Sequence, residues 1–194
     1  ELLIRREGLR AGTLALAGST RRSADPAVDD HLGEQLLRSD KEREEQAIVT
    51  RRIERALRPH SVWVAHNDEP LLVRIANIQH LGTPIRAQLA QPVGALELAG
   101  LLHPTPAVGG EPHEAAVPTI PALEGLDRGW YAGPVGWTDI NEDGEFVVAL
   151  RCALLEGPLA RCFAGVGVVR DSDPAAELAE TEVKLQALLP VLAG

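Results

Sequence analysis

The 194-residue chain contains no methionine, and aromatic residues are only 3% of it. A core built from it must therefore rest on Leu, Val, Ile and Ala. The missing methionine, with Glu1 as first residue, reads as a fragment or a processed chain. Cysteine is scarce, with Cys152 and Cys162 the only two. Two such residues make neither a disulfide scaffold nor a zinc motif, and a reducing cytosol fits them best. No apolar run reaches the ~20 residues of a membrane span. A basic surface for nucleic acid is lacking too, since the net charge is −9 and the pI about 5.1. Arg5, Arg6, Arg10, Arg21 and Arg22 are locally basic and read as a solvated surface.

What is present is an ordinary globular composition, 24% charged and 45% hydrophobic, long enough for one domain across 1–194. Residues 2–6 and 9–17 flank Glu7-Gly8 and predict a hairpin. Residues 19–30 read as a loop. Leu32, Leu36, Leu37, Ile48, Val49, Ile53 and Leu57 recur near a period of 3.6, which predicts a helix over 29–57, with Ser39 interrupting or capping it. Strands are expected at 61–66, 71–80 and 83–90, with turns at Asn67-Asp68 and Gly82. A short helix at 94–102, a Pro/Gly-rich loop at 103–112 and a second short helix to about 126 follow. Strands at 130–138, 145–155 and 159–169 then lead to a helix over 174–192, capped by Asp173 with Pro174 at its first position. Hairpins separated from helices define an α+β fold with an antiparallel sheet.

Two carboxylate patterns stand out. Glu42 and Glu45 share one face of the long helix, and Glu177, Glu180 and Lys184 share one face of the last. Facing each other, they would gather four carboxylates that need a cation, and hard oxygen ligands suit Mg²⁺. The alternative is an exposed Glu180–Lys184 pair and a solvated acidic face. Near the end, a turn centred on Gly157 would set Cys152 opposite Cys162 and Arg151 opposite Phe163, with Gly165 diagonal to Arg151 on the same face. An arginine fork beside a glycine suits a substrate carboxylate, whereas the plainer reading is an edge-strand arginine in a surface ion pair. Residues 139–144 imitate the start of a calcium loop, but Leu150 stands where that loop needs Glu, so a hairpin turn is expected. Gly165 and Gly167 lack the third glycine of a dinucleotide loop.

Longer motifs carry a resemblance. LAGSTRR at 16–22, KEREE at 41–45, LLHPTPAVGG at 101–110, RGWYAGPVGW at 128–137, GEFVVALRC at 144–152, FAGVGVV at 163–169, SDP at 172–174 and ETEVK at 180–184 follow one another along the chain. Together they resemble the C-terminal half of isochorismate synthases, within the chorismate-utilising enzymes. The resemblance implies an α+β fold of large antiparallel sheets with helices packed outside. It implies Mg²⁺-dependent conversion of chorismate to isochorismate, by water addition at C2 and loss of the C4 hydroxyl. Glu1 becomes the general acid, and the general-base lysine belongs to an N-terminal half not in this sequence. Glu45 and Glu180 become metal ligands, with Glu42 and Glu177 acting through water. Arg151 and the Gly165 N–H would hold the enolpyruvyl carboxylate, and Lys184 and the Gly18 N–H would assist at the carboxylates. His80 would stand beside the ring, and Ala107, Val108, Tyr131 and Leu150 would line the pocket. Gln46 departs from a histidine common among relatives. An intact enzyme of this kind is expected to be a cytoplasmic monomer serving siderophore or menaquinone synthesis. Two alternatives stay open: a salicylate synthase-type enzyme that also eliminates pyruvate, and an inert fragment that binds metal or its other half.

Overall fold

The computed structural model describes residues 1–75 and 78–192. Strands β1 (Leu2–Glu7) and β2 (Arg10–Arg21) form the expected hairpin, turning at Gly8 with φ +59°. Helices α1 (Pro26–Arg38) and α2 (Asp40–Leu57) follow, then β3 (Ser61–His66), β4 (Leu71–Arg74) and β5 (Ile78–Leu89). Helices α3 (Ala95–Leu102), α4 (Pro106–Gly109) and α5 (His113–Glu124) precede β6 (Pro134–Thr138), β7 (Gly144–Val148), β8 (Cys152–Glu156) and β9 (Leu159–Phe163). Helices α6 (Pro174–Leu185) and α7 (Leu189–Leu192) close the chain.

Among the described residues, seven strands form one antiparallel sheet in the order β3-β5-β2-β1-β7-β6, with β4 also on β5. Strands β8 and β9 form a separate pair. The fold class is thus α+β, as read from the sequence. Ala11, Thr13, Ala15 and Ala17 alternate inward along β2, and the small alanines let α2 lie close. Helix α2 answers with Gln46, Val49, Thr50, Ile53 and Leu57, buried at helical spacing. Helix α3 adds Ala95, Leu98, Ala99 and Leu102 to the same core. Each fully buried Leu or Ile here stabilises the fold by about 1.5–3 kcal/mol.

Several boundaries differ from the sequence reading, each for a physical reason. Ser39 splits the long helix: its N–H caps α1 by donating to Leu36 O, and its hydroxyl accepts from Glu42 N of α2. The expected loop at 19–30 is shorter, because β2 runs to Arg21 and Asp25 caps α1 at once. Gly82 is not a turn. It lies inside β5, where Val73 and Leu16 pack against its α carbon. Pro84 is tolerated because β4 pairs with β5 only as far as Gly82 and β3 only from Ile85, so no partner on that side needs its N–H. The expected strand at 71–80 keeps 71–74 as β4 and gives 78–80 to β5, and its residues 76 and 77 lie outside the described ones. The loop at 103–112 contains α4.

Strand 130–138 begins only at Pro134, because residues 130–133 turn, with Ala132 at φ +66°. Strand 145–155 breaks at Arg151, whose φ is +48°, and strand 159–169 ends at Phe163. The last helix stops at Leu185, because Pro190 would clash with the carbonyl of Gln186 in a continuous helix. The β8–β9 register is one residue from the expected one. Gly157-Pro158 forms a two-residue loop with Gly157 at φ +61°, so Cys152 faces Phe163 and Ala153 faces Cys162. A one-residue slip reverses every face, so the two free cysteines are not opposed. Arg151 and Gly165 fall outside the strand pair and share no strand face. The 139–143 turn is the expected hairpin, with Asp139 Oδ1 accepting from the N–H groups of Asn141 and Asp143.

Candidate active site

The site begins at a bulge. The β2–β5 register shifts between Ala17 and Ser19, and Gly18 there has φ +71°. Glycine supplies this conformation without strain. The Gly18 carbonyl accepts from Nδ1 of His80 at 3.3 Å, and the Ser19 N–H donates to Glu42 Oε2 at 3.2 Å. A Cβ on Gly18 would lie 2.8 Å from that same Oε2. The bulge therefore ties the sheet to the first turn of α2.

His80 is buried in β5. Its Nε2 accepts from Arg151 Nη2 at 2.9 Å, which fixes the neutral tautomer with the proton on Nδ1. Burial, then the charges of Arg151 and Lys184, push its pKa down to about 4. Arg151 reaches His80 because its left-handed backbone turns the chain out of β7. Glu1 precedes β1, held through its carbonyl by the Val148 N–H at 2.8 Å. Burial pushes its carboxyl up to about 7, against the pull of its own amino group, Arg151 and Lys184. Burial also lowers the Arg151 pKa, and Glu1 opposes that. Glu1, His80, Arg151 and Lys184 thus form one electrostatic unit drawn from four distant stretches of sequence.

The carboxylates gather beside it. Glu180 Oε1 accepts from Lys184 Nζ at 2.8 Å and closely from the Ser19 hydroxyl. Glu177 Oε1 takes Lys41 Nζ at 2.6 Å, and Lys41 also lies 3.3 Å from Glu42 Oε1. Glu45 has no hydrogen-bond or ion-pair partner among the described residues. Burial, Glu42 and Glu180 hold its pKa above the usual carboxylate range. Gly167 makes room for it: a Cβ there would meet Glu45 Oε1 at 2.0 Å. No group of three or more His, Cys, Asp or Glu side chains forms a ready metal cage among the described residues. Two carboxylates with substrate and water as further ligands would still suit Mg²⁺. Glu45 and Glu180 fit that role, because Glu45 is uncommitted and the two repel each other.

Lys184 Nζ also donates to Gly165 O at 3.0 Å. Tyr131 stacks on Phe163 with ring centroids 5.3 Å apart, and its hydroxyl lies where a Gly165 Cβ would be, 2.7 Å away. Ala107 and Val108 on α4, with Leu150, pack against the core edge. Val108 and Tyr131 also line a mainly apolar cavity of about 670 Å³ under α5. The structure thus joins Gly18 to Glu42, Arg151 to His80, and Lys184 to Gly165 and Glu180. It does not place the acid, histidine and arginine in the walls of that cavity.

Three residues escaped the sequence reading. Lys41 and Ser19 organise the acids, and Arg128 donates to Val108 O at 2.8 Å while lying over the Tyr131 ring at 5.5 Å. Only the scarcity of lysine offered a signal, since Lys41 and Lys184 are the only two in the chain and both stand here.

The structure thus sets a buried acid, an arginine–histidine pair and a lysine beside paired carboxylates. The chain belongs to the chorismate binding enzyme family, whose model matches residues 1–193. It is 49% identical over its whole length to the salicylate biosynthesis isochorismate synthase of Pseudomonas aeruginosa, covering 41% of that protein. It is 43% identical to isochorismate synthase EntC of Escherichia coli K12, over 98% of this chain and 49% of EntC. The crystal structure of Bacillus anthracis DhbC superposes with a TM-score of 0.97 at 41% identity, covering all of this chain and 52% of DhbC. The chain therefore spans about half the length of the relatives it matches. Among its described residues, no helix is long and apolar enough to cross a membrane.

Proposed function

We propose that this chain is the C-terminal catalytic part of an Mg²⁺-dependent isochorismate synthase acting on chorismate. The observation that carries the reading is the meeting of a Glu1 carboxyl half-protonated near pH 7 with Arg151, His80 and Lys184, next to Glu45 and Glu180. The names of the relatives support the reaction. Water adds at C2 of the ring and the C4 hydroxyl leaves as water, so the conversion is an isomerisation.

Glu1 gives its proton to the departing hydroxyl, which needs a carboxyl still protonated at working pH, and burial supplies it. Neutral His80 holds Arg151 by one hydrogen bond, leaving the rest of the guanidinium fork for the enolpyruvyl carboxylate. Lys184 offers charge to the same anion. Glu45 and Glu180 would hold Mg²⁺, whose charge would serve to neutralise the ring carboxylate. The attacking water must lose a proton, and neither lysine of this chain is free to take it. Lys41 is held by Glu42 and Glu177, and Lys184 by Glu180 and Gly165 O. The base on this reading is the family lysine of the N-terminal half.

The test is to incubate the protein as its gene encodes it with chorismate, with and without Mg²⁺, and to identify products by chromatography. Isochorismate formed only with Mg²⁺ supports the proposal. Salicylate moves the assignment to the pyruvate-eliminating class, and no turnover in either condition overturns it.

A further inference from the structure

Four acidic side chains converge at the α2–α6 junction, yet they are not equivalent. Both oxygens of Glu42 are engaged, Oε1 by Lys41 at 3.3 Å and Oε2 by the Ser19 N–H at 3.2 Å. Glu177 is buried and gives Oε1 to Lys41 at 2.6 Å. Glu45 is uncommitted, and Glu180 uses only Oε1 within the protein. The dividing element is one ammonium.

Its position is informative. Lys41 lies in the first turn of α2, where the helix dipole disfavours a cation and favours acids. The helix gains nothing from it there. The ammonium crosses to α6 instead and joins two helices 136 residues apart in sequence. Burial opposes its charge, while Glu177 and Glu42 keep it firmly protonated.

We infer that Lys41 is a positioning residue that binds Glu42 and Glu177 to itself, keeps both out of the cation's inner sphere, and so sets how many carboxylates a metal can take. The inference rests on the Mg²⁺ reading above and deepens it. Mg²⁺ keeps several waters and takes one or two carboxylates, whereas Ca²⁺ collects six to eight oxygens. A site left with the Glu45 carboxylate and the second oxygen of Glu180 favours the first. Releasing two more favours the second.

The experiment is calorimetric titration of Mg²⁺ and of Ca²⁺, separately, into the protein as its gene encodes it and into Lys41→Met, Lys41→Arg, Glu177→Gln and Glu45→Gln. In Lys41→Met, Ca²⁺ should bind about tenfold tighter, with Mg²⁺ gaining less, so the affinity ratio shifts toward Ca²⁺. Lys41→Arg keeps the charge and should keep the wild-type ratio. Glu177→Gln removes a carboxylate that never reaches the metal, so its Mg²⁺ affinity should stay within about threefold of wild type. That variant keeps the inference testable should Lys41→Met fail to fold. An unchanged ratio in folded Lys41→Met, or a Glu177→Gln loss as large as that of Glu45→Gln, overturns the inference and leaves the Mg²⁺ reading standing. A wild-type protein that binds neither ion overturns both.

Discussion

The acid assigned to Glu1 makes a quantitative prediction about pH. Its carboxyl has an ordinary pKa of 4.5, and burial pushes it up to about 7. A donor with that value is about nine-tenths protonated at pH 6 and about one-tenth at pH 8. The descending limb of kcat/KM, which reports the free enzyme, should therefore fall about tenfold per pH unit above its midpoint. Three positive groups lower the value: the residue's own amino group, Arg151 and Lys184. Removing one of them with Arg151→Gln should move the limb to higher pH, even as the lost carboxylate contact raises KM. Glu1→Gln should lose about 10²–10⁴-fold in rate and lose this limb altogether. The assay is initial velocity against chorismate at fixed Mg²⁺ from pH 5.5 to 9. A Glu1→Gln variant that keeps the wild-type descending limb refutes the assignment. A limb that moves down in Arg151→Gln refutes the electrostatic account.

Other consequences follow from single contacts. Gly167→Ala drives a methyl into the Glu45 carboxylate, and should weaken Mg²⁺ binding about 10–100-fold by calorimetry while leaving the melting temperature near wild type. Gly82→Ala puts a Cβ 2.4 Å from Val73 Cγ2 inside β5; urea denaturation should show a loss of about 1–3 kcal/mol. Asp29, gripped by Arg22 at 2.9 Å and by the Ser23 N–H, has a pKa below its ordinary 3.8. Its contribution is complete above pH 3.8 and is lost as pH falls toward the lower folded value, so melting scans should fall off in acid less steeply in Asp29→Asn than in wild type.

How far the sequence announces this structure depends on the range of the forces involved. The β1–β2 hairpin, β3, α3 and the capped start of α6 were readable because their signals are local: a Gly turn, alternation, a cap followed by proline. The sequence reading divides β5 at Gly82, a turn residue by local chemistry that becomes a strand residue only where Leu16 and Val73 pack against it. Pro84, inside the expected 83–90 strand, stays there because β3 and β4 stop on either side of it. The β8–β9 register was missed by one residue, since a turn centre cannot be placed that finely without knowing that Gly157 takes the left-handed conformation. The Arg151–Gly165 strand-face argument fell with it. Arg151 still reaches the site, through its own left-handed backbone rather than through strand pairing.

The site shows the same division more sharply. Glu42 with Glu45, and Glu177 with Glu180, were visible as helical faces, because three-residue spacing needs only one helix. That the two faces meet depends on α2 lying across β2, which the alanines Ala11, Ala15 and Ala17 permit but do not spell out. The division of labour among the four acids depends on finer detail still. Ser19 and Lys41 stand 22 residues apart in sequence, yet together they occupy Glu42, while Gly167 leaves Glu45 unencumbered from a third segment. On this reading none of the three is itself a metal ligand or a proton donor. What they contribute is the choice of which carboxylates stay free. A site whose reactive groups look redundant in sequence becomes selective in space, because Ser19 and Gly167 lie far along the chain from the acids they sort, and Lys41 reaches from α2 to α6.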